Sequence, residues 1–423
     1  MKLSLFSLSA VVALTALLNP SPSFALPAPS ISINSVVSFD NHRVIRIQVN
    51  SETDLQTLTA NENSLGLDYF THHKVVGGHI DVRIPPQSFN EFQRLNLKYS
   101  TLIENLQSVI DQERKEDEQY QQLWVFAAAD TWFQGYHTYA DHQSWLATQI
   151  SNNRGKASAF SAGKSYQGRD QAGITIGSGP NHIVFHGTQH AREWISTMVV
   201  EYLVDQLLKG TDSRVAGYLT KYTFHILPIM NPDGFVVTQT TNRMHRKNAQ
   251  TNGGCLGTDT NRNWGFKWNT GGSSANPCAD DYMGPSAFSS PEATNIAKYL
   301  KSLPKVVSYI DFHSYSQLWM VPYGYTGTRP GTYAYMNGLA SKAVKALEAV
   351  NGVKFTNGDI YNTIYGASGN SADYAYSIGV SAPFAVELRD TGRYGFSLPA
   401  SQIVPSGQET WAAFAAILDN IQV

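Results

Sequence analysis

Residues 185–194 read FHGTQHAREW and join two segments of different character. The apolar run that leads into them, HIVF, is typical of a buried strand, and the run that continues from them, EWISTMVVEYLVDQLL, is typical of a helix. Open α/β sheets bind their ligands at strand ends of this kind. His190, Arg192 and Glu193 therefore stand where a site is expected.

The composition is that of an ordinary globular protein. The chain has 423 residues, of which 42% are hydrophobic and 15% charged, and its formal net charge is −2. This length allows one large core and a smaller domain. The composition shows neither the basic field that nucleic acids attract nor a basic amphipathic helix for a membrane surface. We expect no nucleic-acid or membrane partner, and nothing requires more than a monomer.

The chain begins MKLSLFSLSAVVALTALLNPSPSFA, an apolar run after one Lys that ends in small residues near Ala25. This pattern predicts a signal peptide over residues 1–25 and a secreted, extracellular protein. A membrane anchor is the alternative, but the run is shorter than the roughly 20 residues of a spanning helix. In an oxidising compartment Cys255 and Cys278 would form one disulfide, with two free thiols as the alternative.

A first block after the signal has the pattern of a small α+β domain. The segments HRVIRIQV, LDYFTHH, HIDVRI and STLIENL are typical of strands, and SETDLQTLTANEN and QSFNEFQRL are typical of helices. Ser51 is suited to be an N-cap, with Asp54 three residues later, and VVGG suits a turn. The order β-α-β-β-α-β predicts a ferredoxin-like domain.

Residues 111–122, DQERKEDEQYQQ, are almost wholly polar and contain the dibasic pair Arg114-Lys115. One interpretation is a solvated helix or linker. The other is a protease-accessible connection, because exposed polar links between domains are where cleavage concentrates. This stretch alone favours neither.

From about residue 120 onward, strand-like runs alternate with helix-like runs. The former include NHIVFHG, TFHILPIMNP, VVSYIDFHSY and APFAVELRD, and the latter include EWISTMVVEYLVDQLLKG, SPEATNIAKYLKSL, AYMNGLASKAVKALEAV and QETWAAFAAILDN. The strands are continuously apolar, as in strands buried on both faces. The alternation predicts one α/β domain with a mostly parallel sheet.

Three of the residues at the ends of these runs could bind a metal. His190 and Glu193 have i, i+3 spacing, which in a turn of helix places both on one side. His313 follows the strand VVSYIDF. Two imidazoles and one carboxylate leave a fourth position open for water, as in catalytic zinc sites. The short pair alone is a weak signal, since a Glu at a helix start also favours the helix dipole.

Six motifs, in chain order, resemble those of the metallocarboxypeptidases of the carboxypeptidase A/B family: HAREW, TDTNRNW, DFHSYSQ, PYGY, IYGASGNSADY and ELRDTGRYGF. The resemblance implies that residues 116–423 form the catalytic domain, with a mixed, mostly parallel twisted sheet flanked by helices. The first block resembles the family's pro-segment and the dibasic pair its activation site. Residues 26–115 would then be an inhibitory activation domain and linker, and the protein a zymogen.

The resemblance also assigns roles to individual residues. It implies one Zn²⁺ per chain held by His190, Glu193 and His313, with Glu387 as general base and Arg246 stabilising the oxyanion. The implied substrate contacts are Asn261, Arg262 and Tyr365 at the terminal carboxylate, Arg192, Ser314 and Tyr315 in the neighbouring subsite, Arg243 and Phe396 further out, and Ala372 at the floor of the pocket for the terminal side chain. Cys255 and Cys278 fall where pancreatic members pair theirs. The family's non-proline cis peptides would fall at Ser314-Tyr315, Pro322-Tyr323 and Arg389-Asp390.

The implied pocket is uncharged. A member specific for basic residues would have an acidic residue at position 372, and this chain has Ala, with Ile360 and Ala385 nearby. Burying an unpaired Lys or Arg there is costly. We therefore expect release of hydrophobic or aromatic C-terminal residues. Asn370 stands where the family has Gly, which would narrow the rim.

The implied partners are peptide and protein C-termini and an activating protease. Three alternatives remain at this point: a catalytically inactive secreted relative with a binding or cell-wall role, a zinc hydrolase of the same broad fold that acts on small acylated amino acids, and a secreted α/β protein with a coincidental His-Glu pair. Bound zinc with chelator-sensitive activity would exclude the first and the third.

Overall fold

The computed structural model describes residues 36–71, 76–124 and 131–423. The predicted signal peptide lies outside these residues. The first domain contains, in chain order, β1 (Arg43–Gln48), α1 (Glu52–Leu65), β2 (Asp68–Tyr69), β3 (His79–Ile84), α2 (Phe89–Arg94) and β4 (Tyr99–Ile103). Its sheet is antiparallel with the strand order β2-β3-β1-β4, and the predicted ferredoxin-like arrangement is confirmed.

Local sequence explains the helix boundaries of this domain. The Ser51 hydroxyl accepts from the Asp54 N–H and the Asp54 carboxylate accepts from the Ser51 N–H, which closes a capping box at the start of α1. Gly66 ends the helix at φ 60°, a left-handed conformation that suits glycine. Two predictions were too long: β2 covers only two residues of LDYFTHH, and β4 ends at Ile103 rather than continuing through STLIENL.

The segment between the two domains is one continuous helix, α3 (Leu106–Trp124). It begins three residues after β4, which is why the end of STLIENL is not strand. Residues 111–122 are therefore helical, and Glu, Gln, Lys and Arg are good helix formers. Cleavage of this connection by a protease stays a prediction. The side chains of Arg114 and Lys115 are exposed on it. The predicted boundary between residues 115 and 116 therefore falls inside a helix.

The second domain contains the remaining elements. They are α4 (Tyr139–Asn152), β5 (Ala157–Lys164), β6 (Asp170–Gly177), β7 (Asn181–His186), α5 (Trp194–Lys209), α6 (Val215–Lys221), β8 (Tyr222–Leu227), α7 (Pro232–Thr240), β9 (Thr251–Asn252), β10 (Cys255–Leu256), α8 (Pro291–Ser302), β11 (Val306–His313), β12 (Leu318–Val321), α9 (Tyr333–Asn351), β13 (Thr356–Asp359), α10 (Ile360–Thr363), α11 (Ser371–Ser377), β14 (Ala382–Glu387) and α12 (Ile403–Asn420).

The large sheet is mixed, as predicted. Among the described residues its order is β13-β12-β14-β11-β7-β8-β6-β5. The central strands β14, β11, β7 and β8 are parallel, and β12, β6 and β5 add antiparallel pairs. The central strands are buried along nearly their whole length, because helices cover both faces of the sheet. Their carboxyl ends therefore meet at one edge.

A hydrophobic cluster joins the two domains. Residues of the first domain and of α3 pack against residues of the second in one buried group made of Phe39, Val44, Phe70, Ile103, Leu106, Ile110, Met244, Tyr315 and Phe396. Burial of apolar surface is the main favourable term in such contacts. The first domain is thus docked on the second. Among the described residues, no helix combines the length and apolar character that crossing a membrane requires.

Candidate active site

The turn that leads from β7 into α5 is tightly held. At Gly187 a Cβ atom would lie 2.7 Å from the Ser196 carbonyl oxygen, so strand and helix approach too closely for a larger residue. Thr188 has φ 51°, an unfavourable conformation for a β-branched residue. The Ser196 hydroxyl accepts from the Thr188 N–H at 2.8 Å, and the Thr188 and Thr197 hydroxyls are also hydrogen-bonded. The strained backbone at Thr188 is therefore held in place by hydrogen bonds to the first turn of α5.

His190 and Glu193 lie in this turn and not in a helix. The Glu193 N–H donates to the His190 carbonyl at 3.3 Å, and α5 begins at the next residue, Trp194. The expectation of a helical i, i+3 pair was wrong in this respect. The reason is that Glu193 has φ −91° and ψ 62°, so the chain turns before the helix starts. The two side chains still face the same point.

The three predicted metal ligands come together at the carboxyl edge of the sheet. His190 Nδ1 lies 3.1 Å from His313 Nδ1. The two Glu193 oxygens divide between the rings: Oε1 lies 2.9 Å from His190 Nδ1 and Oε2 lies 3.0 Å from His313 Nδ1. All three residues are buried. A tetrahedral zinc ion with bonds of about 2.0–2.1 Å separates its ligand atoms by about 3.3 Å. The spacing and the His-Glu-His donor set therefore fit Zn²⁺.

Glu387 ends β14 in parallel register with His313 at the end of β11. This pairing brings its carboxylate to the same edge as the metal group. Burial raises the pKa of Glu387 to about 8, aided by the Glu193 charge and opposed by His313 and Arg246. A cation held by the three ligands would lower this pKa again, because it favours the ionised carboxylate.

Arg246 reaches the metal group through an aspartate. Its Nε and Nη2 donate to Asp259 Oδ2 at 3.1 and 2.9 Å, and the other Asp259 oxygen lies 3.2 Å from His190 Nε2. The Arg246 Nη1 takes no part in these bonds. Asp259 is fully buried, and the charges of Arg246 and His190 overcome the cost of burial and hold its pKa well below the ordinary value.

The residues expected to bind a terminal carboxylate lie in one region. Arg262 donates Nε to the Gly272 carbonyl at 2.9 Å and Nη1 to the Asn261 carbonyl at 3.0 Å, and its guanidinium lies 5.4 Å from the centre of the Tyr365 ring. Within the described part of the chain, no carboxylate forms an ion pair with it. Asn261 points elsewhere: its Nδ2 lies 3.1 Å from His313 Nε2 and its Oδ1 accepts from the Ser371 N–H.

The predicted pocket residues Ile360, Ala372 and Ala385 lie in one buried apolar cluster together with Met320 and Ile364. The carboxylate next to Ala372 is that of Asp373, which accepts from the Gly324 and Tyr325 N–H groups. Burial raises the pKa of Asp373 to about 6. Asn370 is the N-cap of α11, and its Nδ2 donates to the Ala367 carbonyl at 2.8 Å. Its side chain is therefore bonded within its own loop.

The first domain covers the predicted neighbouring subsite. Arg192 is fully buried: Nη1 lies 3.3 Å from Asp68 and from Asp280, and Nη2 donates to the Tyr69 carbonyl. The Tyr315 hydroxyl donates to Asp81 of β3 at 2.9 Å. Ser314 is buried beside it, with its N–H 3.3 Å from Glu193 Oε2.

The outer subsite residues are engaged as well. Arg243 donates Nε and Nη2 to the two oxygens of Glu113, on α3, at 2.6 and 2.8 Å. Phe396 packs against Phe70 of the first domain, with ring centres 4.9 Å apart. Of the nine predicted substrate contacts, these four (Arg192, Tyr315, Arg243 and Phe396) therefore touch the pro-segment.

Sequence reasoning missed two buried carboxylates that contact the metal-binding histidines. Asp259 lies in the quoted motif TDTNRNW but received no role. Asp311 lies two residues before His313, and residues i and i+2 of a strand share one face. This i, i+2 spacing in the sequence could have indicated that Asp311 lies beside His313. Elsewhere in the domain, Cys255 and Cys278 form a disulfide, and the peptide bonds Ser314-Tyr315, Pro322-Tyr323 and Arg389-Asp390 are cis, as expected.

This arrangement defines the class of a metal-dependent hydrolase on an open α/β sheet. Residues 142–413 match the family model described as zinc carboxypeptidase, and residues 45–113 match that described as carboxypeptidase activation peptide. The chain belongs to the zinc carboxypeptidase family. It is a metallocarboxypeptidase of the A type with an activation peptide, and its cofactor is Zn²⁺.

Individual relatives agree with this assignment. The chain is 39% identical to a metallocarboxypeptidase A-like protein of Trichophyton verrucosum, covering 98% of this chain and 100% of that protein, and 35% identical to carboxypeptidase A2 of Rattus norvegicus, covering 91% and 95%. Among solved structures it resembles thrombin activatable fibrinolysis inhibitor, with a TM-score of 0.83, 25% identity and coverage of 90% and 99%. Carboxypeptidase A of Helicoverpa armigera gives a TM-score of 0.81, 25% identity and coverage of 90% and 98%.

Proposed function

We propose that the protein is a secreted, monomeric zymogen that, once cleaved, hydrolyses the C-terminal peptide bond of peptides and proteins and releases hydrophobic or aromatic residues. Residues 26–115 would be the pro-segment and residues 116–423 the catalytic domain. One observation carries the exopeptidase activity: Arg262 has no carboxylate partner among the described residues, and it lies beside Tyr365 in the site. A guanidinium pairs well with a terminal carboxylate.

The proposed mechanism assigns the chemistry to residues of this chain. When bound to His190, Glu193 and His313, zinc activates water and polarises the scissile carbonyl. Glu387 accepts a proton from the attacking water and gives it to the leaving amine. Arg246 stabilises the negative charge that develops on the carbonyl oxygen, and its free Nη1 supports this role. Arg262 holds the end of the substrate, with Tyr365 as a further donor. Asn261 would have to turn its Nδ2 away from His313 to join them.

The apolar preference is supported by the cluster around Ala372. Its members offer no charge, and both oxygens of the adjacent Asp373 are bonded to backbone N–H groups. A buried Lys or Arg side chain would find no partner there, whereas an aromatic ring would gain free energy by burying apolar surface.

Inhibition in the zymogen is supported by the contacts of the pro-segment. Asp68, Asp81 and Glu113 bind Arg192, Tyr315 and Arg243, which the proposal assigns to the substrate. A peptide longer than a few residues would have to displace these contacts. Cleavage of the link near Arg114-Lys115 by another protease would free the first domain to leave.

Hydrolysis of two blocked dipeptides, one ending in Phe and one in Lys, tests the proposal. Each is measured before and after limited trypsin treatment, with and without a zinc chelator. We expect chelator-sensitive release of Phe that appears after cleavage, and little release of Lys. Faster release of Lys than of Phe would contradict the apolar pocket. Full activity before cleavage would contradict inhibition, and no release by a folded, zinc-loaded chain would favour a binding role.

A further inference from the structure

Tyr309, Asp311 and His313 alternate along β11 and share one face, with His313 at the end. Asp311 is 0% exposed, far from the solvent that normally stabilises a carboxylate. Burial of an ion without partners is costly, so its contacts must be specific. They come from the metal-binding histidine, from the neighbouring strand and from α11.

The Asp311 carboxylate has three polar neighbours. The Ser371 hydroxyl, in the first turn of α11, donates to Oδ2 at 2.5 Å, and His313 Nε2 lies 2.9 Å from the same oxygen. On β7, His186 is the register partner of Asp311, and its Nδ1 lies 3.4 Å from Oδ1. The donors around Oδ2 suit an ionised carboxylate.

His186 contributes as a neutral ring. Burial lowers its pKa to about 4. Its Nε2 lies 2.5 Å from the Tyr309 hydroxyl, whose pKa burial raises well above the ordinary value, so the hydroxyl keeps its proton and donates it. The hydrogen-bond network then places the remaining ring proton of His186 on Nδ1, facing Asp311.

The surroundings of His313 leave one acceptor for its second nitrogen. Nδ1 faces the metal position and must present a lone pair there, so Nε2 carries the proton. Asn261 Nδ2, 3.1 Å from Nε2, can only donate, and its Oδ1 is taken by the Ser371 N–H. Among the described contacts, Asp311 Oδ2, at 2.9 Å, is the acceptor nearest to Nε2. His190 has the equivalent arrangement, with Asp259 at its Nε2.

We propose that Asp311 is a positioning residue that fixes the tautomer and the ring orientation of His313 toward Zn²⁺, with the Ser371 hydroxyl holding the carboxylate in place. Both imidazole ligands would then be oriented by a buried carboxylate. Partners of this kind raise the basicity of the ligand and its affinity for the metal. The proposal rests on the proposed ligand set His190, Glu193 and His313.

The test measures the zinc dissociation constant of the full-length chain by competition with a chelator. For Asp311→Asn we expect zinc binding about 10–100-fold weaker than in the wild type. The absorption spectrum of the Co²⁺-substituted chain should also change, because one ligand is no longer held in place. If Asp311 served only to stabilise the fold, the folded variant would keep the Co²⁺ spectrum and the zinc affinity of the wild type.

Glu201→Gln is the matched control. Glu201 is also a fully buried carboxylate, bonded to His142 Nδ1 and to the Trp132 indole at 2.8 Å, and it lies about two turns along α5 from Glu193. Its zinc dissociation constant and Co²⁺ spectrum should match those of the wild type. If both variants change alike, or if Asp311→Asn binds zinc as the wild type does, the proposal is wrong.

Ser371→Ala covers the case in which Asp311→Asn does not fold. It keeps the carboxylate but removes a bond that fixes it, so zinc binding should weaken in the same direction and by less. Unchanged binding there would count against the proposal. The zinc content of the wild type distinguishes failure of the proposed ligand set from failure of the Asp311 proposal. If the wild type binds less than one zinc per chain, the ligand set itself is wrong. If it binds one, the variants test Asp311 alone.

Discussion

At the scale of single residues, the guanidinium of Arg262 is held by main-chain carbonyl groups and keeps Nη2 for an incoming anion. A residue held in this way is already oriented before the substrate arrives, so little side-chain entropy is lost on binding. Under the proposed function, this orientation would let Arg262 select a chain end in a site whose zinc chemistry could cleave any nearby amide.

Replacing Arg262 by Ala should lower kcat/KM for a blocked dipeptide with a free C-terminus. Losing one partner of a buried charge pair costs about 2 kcal/mol or more, which is roughly 30-fold or more. Arg262→Lys should lie between the two, because the charge remains but the planar fork is lost.

The matched measurement uses the same dipeptide with an amidated C-terminus. The wild type should prefer the free carboxylate, and Arg262→Ala should lose most of that preference. An unchanged preference in the variant would assign recognition of the chain end to another residue.

The predicted site residues that contact metal or substrate could be read from the sequence because whole motifs carry them. The supporting residues could not be assigned in the same way. Asp259 and Asp311 act through imidazole nitrogens that point away from the metal, and such contacts depend on the register of β11 with its neighbours. A sequence shows that Asp311 and His313 share a face, but not that the Ser371 hydroxyl donates a hydrogen bond to the Asp311 carboxylate.

At the scale of elements, the connecting helix α3 contains a carboxyl group that titrates near neutrality. Burial and the neighbouring Glu113 charge raise the pKa of Asp117 to about 7, against the Tyr136 N–H bond and the Arg243 charge. The unfolded chain has an ordinary value of about 3.9. The folded state therefore binds this proton more tightly than the unfolded state does.

Asp117→Asn should become more stable relative to the wild type as the pH rises. The stabilising contribution of the protonated Asp117 is fully present below about pH 4, declines as the pH rises toward 7 and is lost above it. Asn does not titrate, so the difference in melting temperature, variant minus wild type, should grow from pH 5 to pH 7 and then level off.

Asp111→Asn, an exposed position on the same helix, provides the control. Its difference in melting temperature should stay constant over the same range. A flat difference for Asp117→Asn as well would mean that this carboxyl does not titrate near neutrality in the folded chain.

The elements that sequence analysis predicted are those with continuous apolar runs or clear caps. β7, β8, β11 and β14 were found because they are buried on both faces. β5 and β6 were not, since ASAFSAGK, at the sheet edge, and DQAGITIG, next to it, mix small and polar residues with apolar ones. β13, TNGD, has no apolar residue at all, and only its pairing with β12 makes it a strand.

At the scale of the whole molecule, the ion pair between Glu113 and Arg243 joins the pro-segment to the face that the proposed function assigns to the substrate. Both side chains are almost fully buried, at 7% and 6% exposure. Removing one partner of a buried pair costs about 3–5 kcal/mol, because the other charge is left unpaired. No pattern in the sequence linked these two residues, which lie 130 positions apart.

Glu113→Gln should therefore weaken the docking of the first domain. We expect the uncleaved variant to hydrolyse a long peptide substrate measurably, where the uncleaved wild type is nearly inactive. Glu116→Gln is the control, since Glu116 accepts from Gln112 on the same helix and, among the described residues, makes no hydrogen bond to the second domain. Equal activity of the two uncleaved variants would mean that this ion pair does not hold the domain in place.

Cleavage in the middle of α3 has a further consequence for the time course of activation. A cut after Arg114 leaves Asp68, Asp81 and Glu113 on the released fragment, so every polar contact with Arg192, Tyr315 and Arg243 described above survives the cut. What cleavage removes is the tether, and with it the high effective concentration of the inhibitory domain. Activity should therefore rise with dilution after cleavage, and a concentrated, fully cut preparation should remain partly inhibited by its own fragment.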